Sequence, residues 1–511
     1  MITLDGQSLR PSDVEAVARR GERVALGDEA RSRLRRARAV VDRLVTEDRA
    51  VYGLTTGVGA LKNTRIAARD TRQLQRNLLM SHAVGVGPPL AEELVRAGML
   101  VRVNQFCQGS SGVSLTVAER LLDLLNHDIC PWVPEKGSLG ASGDLAPSAH
   151  VGLVLIGEGE VWSNGARKPG GAALRAAGLS PIELGAKDAL SILNGTHFMT
   201  GAASLLLRDA QGLLLTADLV AALSVEALRG SRTAFDPRIH ALRPHPGQLA
   251  SAARIFALTE GSGIAESHRI DNRVQDAYSL RCAAQVHGAC ADAIDYLRRV
   301  LDVELNAGTD NPLVLVGDDA VVSGGNFHGE PLALALDTAT IALSELGSIS
   351  ERRLFRLLTA FLSELPPFLT RHSGLDSGYM LLQYTAAALA TDNQLLATPA
   401  SVHSLPTSAD QEDHNSMGWH SAQRARQTSV NLETMLALEA LGAAQGIDLL
   451  APLQPAPMTG EALRTIRETV PTLDHDRTLY PEIEAMVALV RSGRLAAIAA
   501  SAARAQPGQA P

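Results

Sequence analysis

The sequence predicts a mainly α protein: a long-helix bundle joined to a mixed N-terminal region whose Gly-rich loops carry the chemistry. Three observations lead there. The 511 residues are 46% hydrophobic but only 3% aromatic, an Ala- and Leu-rich composition that favours helix throughout. Beyond about residue 200, three long patterns run without proline: 202–230, 332–365 and 421–450. Before it, short helical patterns alternate with the loops YGLTTGVGA, HAVGVGPPL, GSLGASGD and LNGTH. The expected regions are therefore 1–200, with the reactive loops, and 201–511, with the bundle and C-terminal helices.

In chain order, GDEARSRLRRARAVVDRLV reads as the first long helix, with Asp28 as its N-cap. VYGLTT at 51–56 has strand character, and LVLVGDDAVVSGG at 313–325 reads as a short hairpin around Gly317-Asp318. The long helices have wide apolar faces, wider than a two-stranded coiled-coil seam, so they are expected to be buried on several sides and to pack subunits together. The segment LLLTADLVAALSVEAL carries Asp218 and Glu226 and reads as a core helix; no uncharged apolar run reaches the roughly 18 residues of a spanning helix. The Ala-rich C-terminal tail ending QPGQAP is expected to fray.

Composition excludes several classes. The net charge of -8 comes without a large single-sign block, which argues against nucleic acid. MITLDGQSLRPSD lacks the apolar centre of a signal peptide. Cys107, Cys130, Cys282 and Cys290 form no CxxC pair, so reduced thiols in a cytoplasmic protein are expected and a zinc site is not.

The most informative motif is Ala141-Ser142-Gly143, inside GSLGASGDLAPSAH. The Gly143 amide nitrogen can attack the Ala141 carbonyl carbon. Loss of two waters then leaves a 4-methylideneimidazol-5-one ring whose exocyclic methylene comes from Ser142. Gly143 lacks a Cβ that would block the approach, Ser142 supplies the departing hydroxyl, and Ala141 is small enough for a tight loop. The tripeptide alone also fits an ordinary loop in which Ser142 or Asp144 caps the following helix.

Six ordered blocks give the motif its context: VYGLTTGVGALKNTRI; SHAVGVG; GSLGASGDLAPSAH; LNGTH; QDAYSLRCAAQVHGA with TDNPL and SGGNFHGEP; and HSGLDSGYM with LPTSADQEDHNSM. From about residue 50 to 450 the chain resembles the histidine ammonia-lyases, within the aromatic amino acid ammonia-lyase and aminomutase family. The resemblance implies elimination of ammonia from L-histidine to give trans-urocanate. The electrophile is the ring formed from Ala141, Ser142 and Gly143, with no external cofactor and no metal. It also implies a homotetramer whose sites draw on several subunits.

By resemblance, Tyr52 removes the β-proton. A free phenol titrates near 10, so that role requires a lowered pKa. Arg281 is implied to hold the substrate carboxylate with its planar fork. Tyr278 is implied to reach the ring or the departing amine, and Gln275 to belong to the same pocket; the three are expected on one helical stripe. Asn194 is implied to hydrogen-bond the ring carbonyl or the carboxylate, and Phe327 to wall the ring. His82, Met380 and Glu412 bear on substrate choice: an imidazole beside a carboxylate suits histidine, and Met380 supplies an adaptable wall.

Taken singly, these residues also read as a loop tyrosine, a helix-surface arginine, a turn asparagine and a core phenylalanine. Glu412, Asp413 and His414 could be metal ligands, although their spacing matches no strong motif. His197, Gly329, His403 and Asp410 depart from the family pattern as Gln, Ala, Asp and Asn replacements. These leave open a tyrosine ammonia-lyase or an aromatic 2,3-aminomutase. Gly109-Ser110-Ser111 raises the fumarase–aspartase class, but the Met-Pro-x-Lys continuation is missing. Ser142, Tyr52 and Arg281 together argue against a non-catalytic scaffold.

Overall fold

The computed structural model describes residues 1–504, apart from 48, 164 and 270–273. The expected fraying of the QPGQAP tail lies outside the described residues. Among those described are 21 α-helices and nine strands, and no strand exceeds four residues, so helices build the core. The chain forms two compact units. Unit 1 comprises 1–208, 297–337 and 399–423; unit 2 comprises 209–296, 338–398 and 424–511. Both units are discontinuous in sequence: 297–337 and 399–423 return to unit 1.

In unit 1 the first long helix is Asp28–Thr46. Gly27 holds the N-cap position in place of Asp28, which is the first helical residue, where its charge still favours the dipole. The buried side of the helix (Ala37, Val40, Val41, Leu44) packs with Leu54, Ala186 and Val314. Burial of each such aliphatic side chain is worth about 1.5–3 kcal/mol. This cluster ties the Tyr52 loop to the 313–322 hairpin. That hairpin forms as expected, Leu313–Leu315 pairing antiparallel with Ala320–Val322. VYGLTT does not form a strand. It is a run of turns in which Gly53 takes φ 66, and only Thr56 makes a bridge, to Arg65. A Cβ at Gly53 would overlap the Leu190 side chain, and the positive φ itself favours glycine here.

The long patterns become the helices His197–Ala227, Glu330–Leu358 and Gly418–Leu449. The first two are long and apolar enough to cross a membrane if a few charges are tolerated. Over their most apolar stretches they are 78% and 67% buried inside the protein, as core helices are. Within unit 2, the charge that interrupts the first is satisfied: Asp218 accepts from Ser251 at 2.6 Å and from His287 at 2.7 Å. The fully buried Arg353 pairs with Glu439, with Nη2 2.9 Å from Oε2. Burying these charges is tolerable only because each is paired.

Candidate active site

The 137–144 loop in unit 1 is held by main-chain bonds. Gly143 N–H donates to Gly140 O at 3.1 Å, and between them Ser142 lies in the left-handed region at φ 50. Gly195 donates to Ser142 O at 3.0 Å, and Asp144 N–H donates to Gly195 O at 2.8 Å. Ser138 Oγ accepts from Gly140 N–H at 3.2 Å and donates to Gly143 O at 3.4 Å. Met417 N–H closes the loop from the far end of the unit, 2.9 Å from Leu139 O. A Cβ at Gly143 would penetrate the Gly195 carbonyl, so this position admits glycine alone. The residues fit a ring closed from 141 to 143: the turn is sharp, Gly143 is bare, and Ser142 is half-buried.

Asp144 stands at the N-cap of the helix Leu145–Leu155 but makes no side-chain cap there. Its Oδ2 instead accepts from Phe198 N–H at 2.9 Å and Met199 N–H at 3.0 Å, orphan donors in the first turn of the 197–227 helix. Burial pushes this carboxyl up to about 7 despite those bonds and the Arg102 charge. Nearby, Lys187 is fully buried at φ 72, with Nζ 2.6 Å from Asp310 Oδ2. Burial lowers the Lys187 pKa, and Asp310 opposes that shift. Asn194 Nδ2 is 2.7 Å from Asn311 O and 3.4 Å from Asp310 Oδ1, so its amide donors face this pair.

Tyr52, His82 and Glu412 form a second group in unit 1. Tyr52 Oη accepts from Gly59 N–H at 2.9 Å. Ser408 Oγ accepts from Ala60 N–H at 3.1 Å, and Lys62 bonds Gln411, so the Tyr52 loop packs on the loop that leads to Glu412. Glu412 is steadied by Thr407, whose hydroxyl is 2.8 Å from Oε2. Its charge reaches both other members. Tyr52 is raised above its ordinary value, first by burial and then by Glu412, with Gly59 N–H opposing. This is opposite to the lowering its role requires, because a buried phenolate beside a carboxylate is disfavoured. Burial lowers His82, keeping its imidazole neutral, while the Leu78 carbonyl and Glu412 pull the other way.

Of the other expected residues, Gln275, Tyr278, Arg281 and Met380 lie in unit 2. Tyr278 and Arg281 share the four-residue helix Tyr278–Arg281, with the guanidinium 4.6 Å from the ring centre and Nε donating to Asp276 O at 3.0 Å. Gln275 is off this helix: 274–277 has no regular structure and Ala277, the N-cap, is extended, so the expected three-residue stripe holds only for Tyr278 and Arg281. Tyr278 is 71% exposed, and Gln275 is exposed as well. Met380, half-buried, begins the helix Met380–Leu396. Phe327, back in unit 1, is half-buried in the turn after the hairpin.

Among the described residues, the ligand atoms of His328, Glu330 and His414 lie within 4.8 Å of one another. This set differs from Glu412-Asp413-His414. His328 already uses both nitrogens: Nδ1 accepts from Glu330 N–H at 3.3 Å, and Nε2 lies 3.2 Å from His414 O. No lone pair is left for an ion. His403 and Asp410 are exposed. Sequence reasoning passed over Ser138, Lys187 and Asp310. A lone lysine inside the apolar run GAKDALSIL was the one available signal, since burial demands a partner.

Comparison with known proteins gives the chain's relatives. The family described as aromatic amino acid lyase matches residues 9–468. A histidine ammonia-lyase of Symbiobacterium thermophilum is 52% identical, over 96% of this chain and 97% of its own. The crystal structure of histidine ammonia-lyase from Trypanosoma cruzi superposes with a TM-score of 0.92 at 39% identity, covering 100% of this chain and 99% of that one. The tyrosine aminomutase of Streptomyces globisporus superposes at 0.93 with 36% identity, covering 99% of each chain. With a family match over most of its length and a half-identical relative spanning nearly all of it, the chain belongs to the aromatic amino acid lyase family.

Proposed function

We propose that this carbon–nitrogen lyase eliminates ammonia from L-histidine to give trans-urocanate, using a 4-methylideneimidazol-5-one ring made from its own Ala141, Ser142 and Gly143. The observation that carries the reading is the clamped turn at 140–143, in the same unit as a group in which Glu412 acts on both Tyr52 and His82. The half-identical relative named histidine ammonia-lyase supports the substrate. The ring, once formed, supplies an electrophile that ordinary side chains lack.

The chain's own residues do the rest. Tyr52 takes the β-proton; burial is the main force that holds its phenol protonated, and an ammonium arriving beside Glu412 offsets the smaller contribution of that carboxylate. Neutral His82 can hydrogen-bond the substrate imidazole, and Glu412 can pair with an imidazole N–H or with the amine. Arg281 holds the carboxylate, and Tyr278 and Gln275 act with it. Asn194, Phe327 and Met380 complete the pocket. No external cofactor, metal, nucleic acid or membrane enters this reading. We take the enzyme to be cytoplasmic and homotetrameric, with more than one chain at each site; the exposure of Tyr278 and Gln275 supports that assembly.

Incubation of purified protein with histidine and with tyrosine, followed by product identification, tests the substrate. Absorption growing at the urocanate band is the expected result. Cinnamate-type absorption, or a β-amino acid from either substrate, would replace it with the tyrosine lyase or aminomutase reading. The intact mass should be two waters below the sequence mass.

A further inference from the structure

We propose that His197 is a positioning residue for ring formation, gripping Asp144 through Ser148 so that Gly143 stays turned for cyclisation. The inference rests on the ring proposed above. His197 follows Gly195 and Thr196 and begins the 197–227 helix. Its ring is buried, with Nε2 2.7 Å from Ser148 Oγ. The Ser148 hydroxyl donates to the main-chain carbonyl of Asp144. A hydroxyl has one hydrogen; with that given to Asp144, Ser148 must accept from His197, which places the imidazole proton on Nε2. Nδ1 is buried without a partner, so a second proton there would be an unpaired charge. Burial and the Arg102 guanidinium hold His197 well below its ordinary pKa, in keeping with a neutral donor.

The result is a grip on one residue from one short segment. Gly195 O takes the Asp144 N–H, Phe198 and Met199 N–H take its carboxylate, and His197 takes its carbonyl by way of Ser148. Asp144 is bonded directly to Gly143, whose nitrogen must reach the Ala141 carbonyl carbon. Without the relay the Asp144 carbonyl keeps only the Ser148 main-chain N–H, at 3.2 Å, so the residue that follows Gly143 is held more loosely, and small misplacement of reacting atoms is costly. A glutamine at 197 carries the same kind of N–H donor and can replace the imidazole; an apolar side chain cannot.

The test follows cyclisation by mass, independently of turnover. Full-length protein is sampled at intervals after a short induction, and the fraction two waters lighter is read for the wild type, H197Q, H197L, S148A and H197L/S148A. Helical circular dichroism confirms folding of each. Wild type and H197Q should lose both waters together, while H197L and S148A should cyclise more slowly, by up to roughly a hundredfold. The double variant should be no slower than the slower single one, because both changes break one relay. H197L cyclising at the wild-type rate, H197Q as slow as H197L, or additive single effects would each overturn the proposal. Should H197L not fold, S148A decides alone, and an unslowed S148A overturns it. A wild type at the unmodified sequence mass would overturn the proposed function, and this inference with it.

Discussion

The 137–144 loop and the 274–281 segment both serve the proposed reaction, and they are held in opposite ways. The first is fixed by main chain: Gly143 to Gly140, Gly195 to Ser142, Asp144 to Gly195 and Met417 to Leu139. The second is a four-residue helix with an exposed tyrosine, steadied by Arg281 lying on Tyr278 and reaching the Asp276 carbonyl. An electrophile made from backbone needs backbone accuracy, which peptide hydrogen bonds supply without side-chain entropy. Side chains that meet a ligand can stay open until a ligand or another chain covers them.

Five substitutions probe that contrast, from the largest effect down. S142A removes the departing hydroxyl, so the mass should stay at the sequence value and turnover fall on the order of a thousandfold or more; a variant still two waters lighter would show that the turn chemistry lies elsewhere. Y52F should lower kcat by about 10²–10⁴-fold. Because burial raises the Tyr52 pKa, the phenolate fraction grows as pH climbs toward it. Wild-type kcat/KM should therefore rise on the alkaline side, and that limb should disappear in Y52F. G143A forces a side chain into the Gly195 carbonyl and should cost about 2–5 kcal/mol in chemical denaturation, as well as the ring.

E412Q should reduce histidine turnover by roughly ten- to a hundredfold while binding of a product analogue changes little. With the carboxylate charge gone, the Tyr52 limb of the pH profile should also move to lower pH. Equal loss of binding and turnover would mark Glu412 as a binding group. The smallest effect is expected from R281K: KM up roughly tenfold through loss of the planar fork, with an unchanged melting temperature. A clear drop in melting temperature would break the contrast, because the open segment would then be part of the scaffold.

Much of this was legible in the sequence, for reasons that differ from element to element. The 202–230, 332–365 and 421–450 patterns became helices because long Ala/Leu runs decide their own structure. The hairpin around Gly317-Asp318 was local as well. VYGLTT misled because its β-branched content is real, but Gly53 takes a positive φ that breaks the strand and seats the turn against Leu190. Gln275 misled because three-residue spacing is informative only once a helix has begun, and here it begins at Tyr278. Ala-Ser-Gly marked the loop that the proposed reaction uses, yet nothing local foretold that Asp144 would bind the first turn of a helix some fifty residues on. The Lys187–Asp310 pair was hidden for the same reason: its members are 123 positions apart.

The bond from Met417 to Leu139 sets an order of events. A nascent chain that has emerged only as far as the reactive tripeptide, or even as far as Gly195, does not yet possess the whole vice around it. Translation must deliver nearly three hundred further residues beyond Ser142 before the last jaw closes. The proposed ring closure would thus belong to the finished protein, and a chain cut short before position 417 would lack that jaw however well its first half had folded.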